Sequence, residues 1–521
     1  MGEVKREHWA TKIGLILAMA GNAIGLGNFI RFPAKAAAYG GGAYLIPYFL
    51  ALVILGIPIM FVEWTLGRYG GAHGHGHLTP MLFLAARHRL STGKAAAFAI
   101  LGGAIAFVTG VMITGYYTNI IGWMGFYAVS SLKGDFAALT DADAAIGFLV
   151  NFLATLQYNL PAWIISLLII TLIVARGIRR GIEVAAKIMM PILFLEGVVL
   201  VVMSLTLGAP VKPEWTSLKG FEWLWTPKLD KLTDPASFIE GAGQIFFTLS
   251  IGIAGIIPNY ASYLRREDDI PLSALTTTSL NEFAEVVMGA SIAIPLAYAF
   301  GGPDLMAKVE AGMSGFVLSV SALPPLFGRL GFVGNIAGFL WFSLLWFAGV
   351  TSAIALVNVV TSIFEEDFGI ARSKGAWIAF GLVFLTGVFV NIEGWLNNAS
   401  TDYLDLADFY AGSLLLLVVA LFEVAAVLWL WGVDKSYEEL HKGAYITVPK
   451  GYWKYVAGVL APIYLVILLG WFIYTSFLKG EIVGAARPDN IFGWIAAGML
   501  VLMFLVGIVI SYLSLKKRYL S

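Results

Sequence analysis

Long apolar runs separated by short polar breaks organise this chain. Twelve runs have about the ~20-residue length that carries a helix across a hydrocarbon core. They are 13–37, 42–69, 97–130, 162–177, 183–208, 237–263, 272–300, 333–365, 373–392, 402–433, 450–477 and 490–514. Alternating segments of ~10 residues, the signature of barrel strands, are absent. The pattern predicts an all-α integral membrane protein with about twelve transmembrane helices. Two runs are interrupted. "LAMAGNAIGLGNFIRFP" (Leu17 to Pro33) carries Gly21, Gly25 and Gly27 beside Asn22 and Asn28. "GQIFFTLSIGIAGIIPNYASY" (Gly243 to Tyr263) carries Gly252, Gly255 and Pro258.

Composition sharpens the class. Of 521 residues, 59% are hydrophobic and only 13% charged, too little charge to clothe a soluble protein of this size. Formal net charge is zero, so no nucleic-acid partner is expected; membrane lipid is. The absence of cysteine removes disulfides, thiolate metal sites and a cysteine nucleophile. The opening "MGEVKREHWATK" is too polar for a cleavable signal peptide. Lysine and arginine collect near Arg87, Arg89 and Lys94, near Arg176, Arg179, Arg180 and Lys187, and at Lys516 to Arg518. The segment 131–160 is acidic instead. The positive-inside rule then puts both termini in the cytoplasm of a cell-membrane protein.

The interrupted runs are the first and the sixth, so each opens a set of five. Paired Gly/Pro-broken spans at matching positions point to the substrate site of an inverted-repeat transporter. The competing explanation is that glycine lets membrane helices pack closely.

Six motifs, in order, carry a family resemblance: "REHWATKIGLILAMAGNAIGLGNFIRFP", "GIPIMFVEWTLGRYGG", "GQIFFTLS", "LNEFAEV", "FAGVTSAIA" and "DFYAG". The chain resembles the neurotransmitter:sodium symporter family, in particular its prokaryotic amino-acid transporters. The resemblance implies the LeuT-type 5+5 inverted repeat: a cytoplasmic segment 1–12, a first repeat 13–208, a second 237–433, two further spans within 450–514 and a cytoplasmic tail 515–521. It implies a sodium-coupled symporter of neutral, aliphatic amino acids working by alternating access. Physical chemistry runs parallel to it. Unwound backbone at bilayer depth is tolerated only inside protein or around a polar cavity. Its freed carbonyls suit a small cation, and half-helix N-termini suit an anion. A zwitterion with Na⁺ satisfies both.

Position by position, the resemblance implies two sodium sites. The first uses the Ala23 carbonyl, the side chains of Asn28, Thr248 and Asn281, and the substrate carboxylate. The second uses the carbonyls of Gly21, Ile24 and Ala348 with the hydroxyls of Thr351 and Ser352. The substrate pocket comprises Asn22, Ala23, Gly25, Leu26 and Gly27, with Tyr117 donating to the carboxylate, and Phe247, Thr248, Ser250, Ile253, Ser352 and Leu356. Ile113, Ile253 and Leu356 line its side-chain end. Matching "NYASY" needs one extra residue between Ile253 and Tyr260, which bears on where Ile253 points.

Arg31 is expected to pair through water with Asp408 as an outer gate above Phe247, and Arg6 with Glu366 as an inner gate under Trp9. The family has aspartate at the Glu366 position, and Glu365 and Asp367 flank it, so the choice among the three acids stays open. Glu63 and Glu285 are expected as a buried pair and Glu423 as a structural acid. Chloride-dependent relatives carry a neutral residue where this chain has Glu285. No chloride is therefore expected, and Glu285 is expected to take up a proton on the empty return step. His73, His75 and His77 alternate in "AHGHGH" and offer a weaker metal-binding reading. No H-E-x-x-H, Walker or G-x-S-x-G motif is present, so no enzyme is expected. A transporter of another zwitterion or osmolyte, and a channel or non-transporting amino-acid receptor, are the alternatives. Oligomeric state is not legible, and a homodimer stays open.

Overall fold

The computed structural model describes residues 7–478 and 490–520. Arg6 of the expected inner gate lies outside the described residues. Among the described residues there is no strand, and ten helical runs are long and apolar enough to cross a membrane. They are Gly41–Ala72, Thr92–Lys133, Leu156–Ala175, Ile178–Thr206, Ile270–Glu310, Gly331–Phe368, Arg372–Leu396, Asp402–Leu440, Tyr452–Phe477 and Ile491–Leu520. The two interrupted runs supply the first and sixth spans, which makes the ten the second to fifth and seventh to twelfth.

The first span starts at Thr11, whose side chain accepts the Gly14 N–H at 3.1 Å and caps Lys12–Ala23. It stops at Ile24, where ψ of 94° is extended. Helix resumes over Gly27–Ala38, bent by 50° from the first half. The sixth span is likewise two helices, Pro235–Thr248 and Ile256–Ala261. Between them the backbone turns left-handed at Ser250, Gly252, Ala254 and Gly255. No helix passes through such a run, because left-handed φ breaks the right-handed hydrogen-bond ladder. Where the resemblance asks for an extra residue, two left-handed residues in succession precede the restart.

The third span, Thr92–Lys133, and the eighth, Gly331–Phe368, pack along each other beside both breaks. Glycine permits the approach. A Cβ at Gly21 would lie 3.0 Å from Thr351 Cβ, and one at Gly349 would lie 2.5 Å from Ile121.

Some boundaries differ from expectation. The fourth span begins at Leu156 rather than 162. The seventh continues past 300 to Glu310, through a kink at Gly302 where φ is 59°. The last helix runs on to Leu520, because Lys517 donates to the Asp367 carbonyl at 2.7 Å and Arg518 to that of Glu366 at 2.5 Å. Short helices such as Ala142–Ala154 and Ser217–Trp225 fill segments that hydropathy left as loops.

Candidate substrate and ion site

The two breaks face each other. Ser250 Oγ donates to the Asn22 carbonyl at 3.1 Å, joining the sixth span to the first. Ser352 Oγ, from the eighth, lies 3.2 Å from the Gly21 carbonyl, 2.9 Å from that of Asn22 and 3.2 Å from that of Ala348. One hydroxyl has one proton to give. The oxygens of Gly21, Asn22 and Ala348 therefore converge with more lone pairs than local donors. Thr351 Oγ1 adds to the crowd, 3.1 Å from the Ala348 carbonyl. Uncharged hard oxygens are the donor type that small hard cations take. Four of the five residues expected for the second sodium site thus meet, and Ile24 stands at the break itself.

The expected first-site side chains also form one cluster. Asn28 Nδ2 donates to Asn281 Oδ1 at 2.8 Å, and Asn281 Nδ2 to Thr248 Oγ1 at 3.1 Å. Asn28 Oδ1 accepts the Gly25 N–H at 2.8 Å and so fixes the unwound turn. Ala23 is buried in the same break. Glu285 borders the cluster: it takes hydrogen bonds from Thr248, from Asn28 at 3.1 Å and from Gln244 at 2.5 Å. The expected Glu63–Glu285 pair does not form. Glu63 instead accepts the Gly252 N–H at 2.7 Å and faces Glu423. The second span brings Glu63 to the sixth-span break, whereas Glu285 belongs to the first-span side of the seventh.

Among the residues expected around the substrate, Tyr117 Oη accepts the Leu26 N–H at 3.4 Å, leaving its own proton to give. A Cβ on Gly25 would stand 3.1 Å from that oxygen and 3.3 Å from Ser352 Oγ, and one on Gly27 would meet the Phe247 ring at 2.7 Å. Glycine at both positions lets these side chains close on the unwound backbone. Asn22 Oδ1 is buried with no hydrogen-bond partner, an acceptor awaiting a donor. Ile113, Ile253 and Leu356 are buried on three different spans.

The gate residues find additional partners. Arg31 donates to Gln244, lies 3.8 Å from Glu240 and stacks 5.3 Å from the centre of the Phe247 ring. Asp408 accepts from Tyr116 Oη at 2.6 Å. Glu240, Gln244 and Thr248 recur every four residues, a polar stripe on one helix face. Gln244, on that face, bridges Arg31 to Glu285, a residue the motif comparison passed over. Asp408 and Arg31 make no direct ion pair in this structure.

At the other end, Trp9 Nε1 donates to the Tyr260 carbonyl at 3.0 Å, and its ring meets Tyr260 edge-on at 5.4 Å. The three neighbouring acids separate by partner. Glu365 pairs with Arg372 at 2.9 Å, Glu366 accepts the Gly76 N–H at 2.6 Å, and Asp367 pairs with His77 at 2.7 Å. Asp367 is the buried one of the three. The histidines do not converge on a metal: His73 bonds the Tyr69 carbonyl, His75 contacts Tyr519 and Arg518, and His77 holds Asp367.

Two broken helices facing each other, with oxygen donors and a buried unpartnered acceptor between them, are the arrangement at which inverted-repeat secondary transporters place their substrate and coupling-ion sites. The model of the sodium:neurotransmitter symporter family matches residues 6–140 and 149–517, and the chain belongs to that family of sodium-dependent transporters. It is 32% identical to an uncharacterized sodium-dependent transporter of Methanocaldococcus jannaschii, over 89% of this chain and 90% of the relative. It is 24% identical to sodium-dependent nutrient amino acid transporter 1 of Drosophila grimshawi, over 91% and 77%. Among solved structures it is similar to MhsT in complex with L-phenylalanine, with a TM-score of 0.74 and 27% identity, covering 89% of this chain and 99% of that one. The LeuT-type fold expected from the motifs is the fold observed.

Proposed function

We propose that the protein is a sodium-coupled symporter of neutral amino acids with apolar side chains, using two sodium ions and no chloride, and working by alternating access. It lies in the cell membrane with both termini cytoplasmic. The observation that carries this reading is the pairing of two unlike ends in one small site. Carbonyls and hydroxyls around Gly21, Ala348, Thr351 and Ser352 offer only neutral oxygens, while Tyr117 offers a proton donor beside the bare backbone at Gly25. A carboxylate fits the donor and adds a charged ligand to a sodium cage whose protein ligands at Asn28, Thr248 and Asn281 are themselves neutral, with Glu285 bordering them. That shared ligand couples ion to substrate. The unpartnered Asn22 Oδ1 suits the ammonium group, and Ile113, Ile253 and Leu356 suit an aliphatic side chain. A relative named as a nutrient amino acid transporter and a neighbour holding L-phenylalanine support the substrate class.

The test is uptake of labelled amino acids into proteoliposomes under an imposed sodium gradient. Accumulation that disappears without the gradient is expected; binding without accumulation points to a receptor instead. In competition, leucine and methionine should displace the label better than alanine, each added methylene contributing at most about 0.8 kcal/mol. Amines lacking a carboxylate should compete poorly. A preference for glycine, aspartate or dopamine overturns the proposed pocket.

Thr351→Val removes a hydroxyl without changing shape. Apparent Na⁺ affinity should fall by about tenfold, the effect of losing one polar contact of ~1.4 kcal/mol. An unchanged sodium titration in the purified variant removes Thr351 from the ion site.

A further inference from the structure

The backbone is pinned on both sides of Ile253. The Gly252 N–H goes to Glu63 Oε1 at 2.7 Å, and the Ala254 N–H goes to Thr109 Oγ1 at 3.2 Å. Thr109 spends its own proton on the Ala106 carbonyl at 2.8 Å, so its oxygen is oriented as an acceptor. Thr109 is fully buried and Ala254 is 1% exposed. An N–H left unpaired there loses its protein partner in a buried setting.

Ala254 needs such a hold. Its φ of 59° is one that residues with a Cβ rarely adopt, and such outliers persist only where the surroundings enforce them. The third span comes close enough to do so because position 110 is glycine: a Cβ there would lie 3.0 Å from Ala254 Cβ. A narrow cavity lined by Phe107, Gly110, Ala254 and Val359 borders the segment.

We propose that Thr109 is a positioning residue whose hydroxyl holds Ala254 left-handed and thereby aims Ile253 at the substrate's side chain, making Thr109 a determinant of which amino acids are accepted. The proposal rests on the reading of Ile253 as part of the substrate pocket. Thr109 acts through the sixth-span backbone. It lies one helical turn from Ile113 on the same face of the third span.

Thr109→Val keeps the shape and loses the acceptor; Thr109→Ser keeps the acceptor. In sodium-dependent binding to the purified full-length protein, the leucine-to-alanine affinity ratio should change by about three- to tenfold in the valine variant, the range expected for one hydrogen bond. The serine variant should keep the wild-type ratio. Reading a ratio cancels any general loss of folded protein. Hydrogen–deuterium exchange over 249–256 should quicken in the valine variant and not in the serine one. A wild-type ratio together with wild-type exchange in Thr109→Val overturns the proposal, as does a serine variant that behaves like valine. If the wild type binds no neutral amino acid, the functional reading and the selectivity role fall together, and exchange alone then decides the positioning role.

Discussion

Glu285→Ser should convert uptake from chloride-independent to chloride-dependent. The carboxylate is buried and touches Asn28, Thr248 and Gln244, two of which belong to the proposed first sodium site. Two unit charges ~4 Å apart interact by about 4 kcal/mol at an effective dielectric near 20. Removing the negative one should therefore lower uptake in gluconate medium by roughly a hundredfold or more. Chloride occupying the vacated volume restores the balance, so activity should return as chloride is titrated in at constant sodium. Gln244, whose amide donates to Glu285 while its oxygen accepts from Arg31, remains to donate to the anion. Wild-type uptake that collapses when chloride is replaced by gluconate is the result that defeats this account.

Gly25→Asp should abolish uptake of neutral amino acids. The new Cβ would stand 3.1 Å from Tyr117 Oη and 3.3 Å from Ser352 Oγ, where the substrate carboxylate is proposed to sit. Its carboxylate would take the tyrosine proton donor and repel the substrate's charge by about 4 kcal/mol on the same scale. The remaining pocket would favour an amine without a carboxylate. The variant should keep sodium-dependent binding of a simple amine while leucine uptake drops below detection. Leucine uptake within about tenfold of wild type moves the carboxylate site away from Gly25.

Much of the architecture was legible because the bilayer makes hydropathy nearly one-dimensional. A helix at that depth satisfies its own backbone, so span positions follow from apolar length. The breaks were legible for the converse reason: Gly21, Gly25, Gly252 and Gly255 sit where an uninterrupted span has no use for them. The donors Asn28, Thr248 and Asn281 followed from the motifs, and the structure brings these side chains together, with Ser352 among the carbonyls of the second cluster. Partner choices did not follow. Glu63, Glu285 and Glu423 read alike as acids in apolar runs, and nothing local says which faces which. Glu365, Glu366 and Asp367 are adjacent in sequence, yet a helix turns successive side chains in different directions, so each finds its own partner.

By itself, then, the chain's sequence determined the membrane class, the approximate spans, the two interruptions and the family. Each depends on composition, length or a contiguous motif. Only the tertiary structure decided that Glu63 serves the sixth-span backbone, that Gln244 links Arg31 to Glu285, that Asp367 is held by His77, and that Thr109 reaches Ala254. Those contacts join residues far apart along the chain, and their geometry depends on how rigid helices cross, which no local pattern of apolar and polar positions encodes.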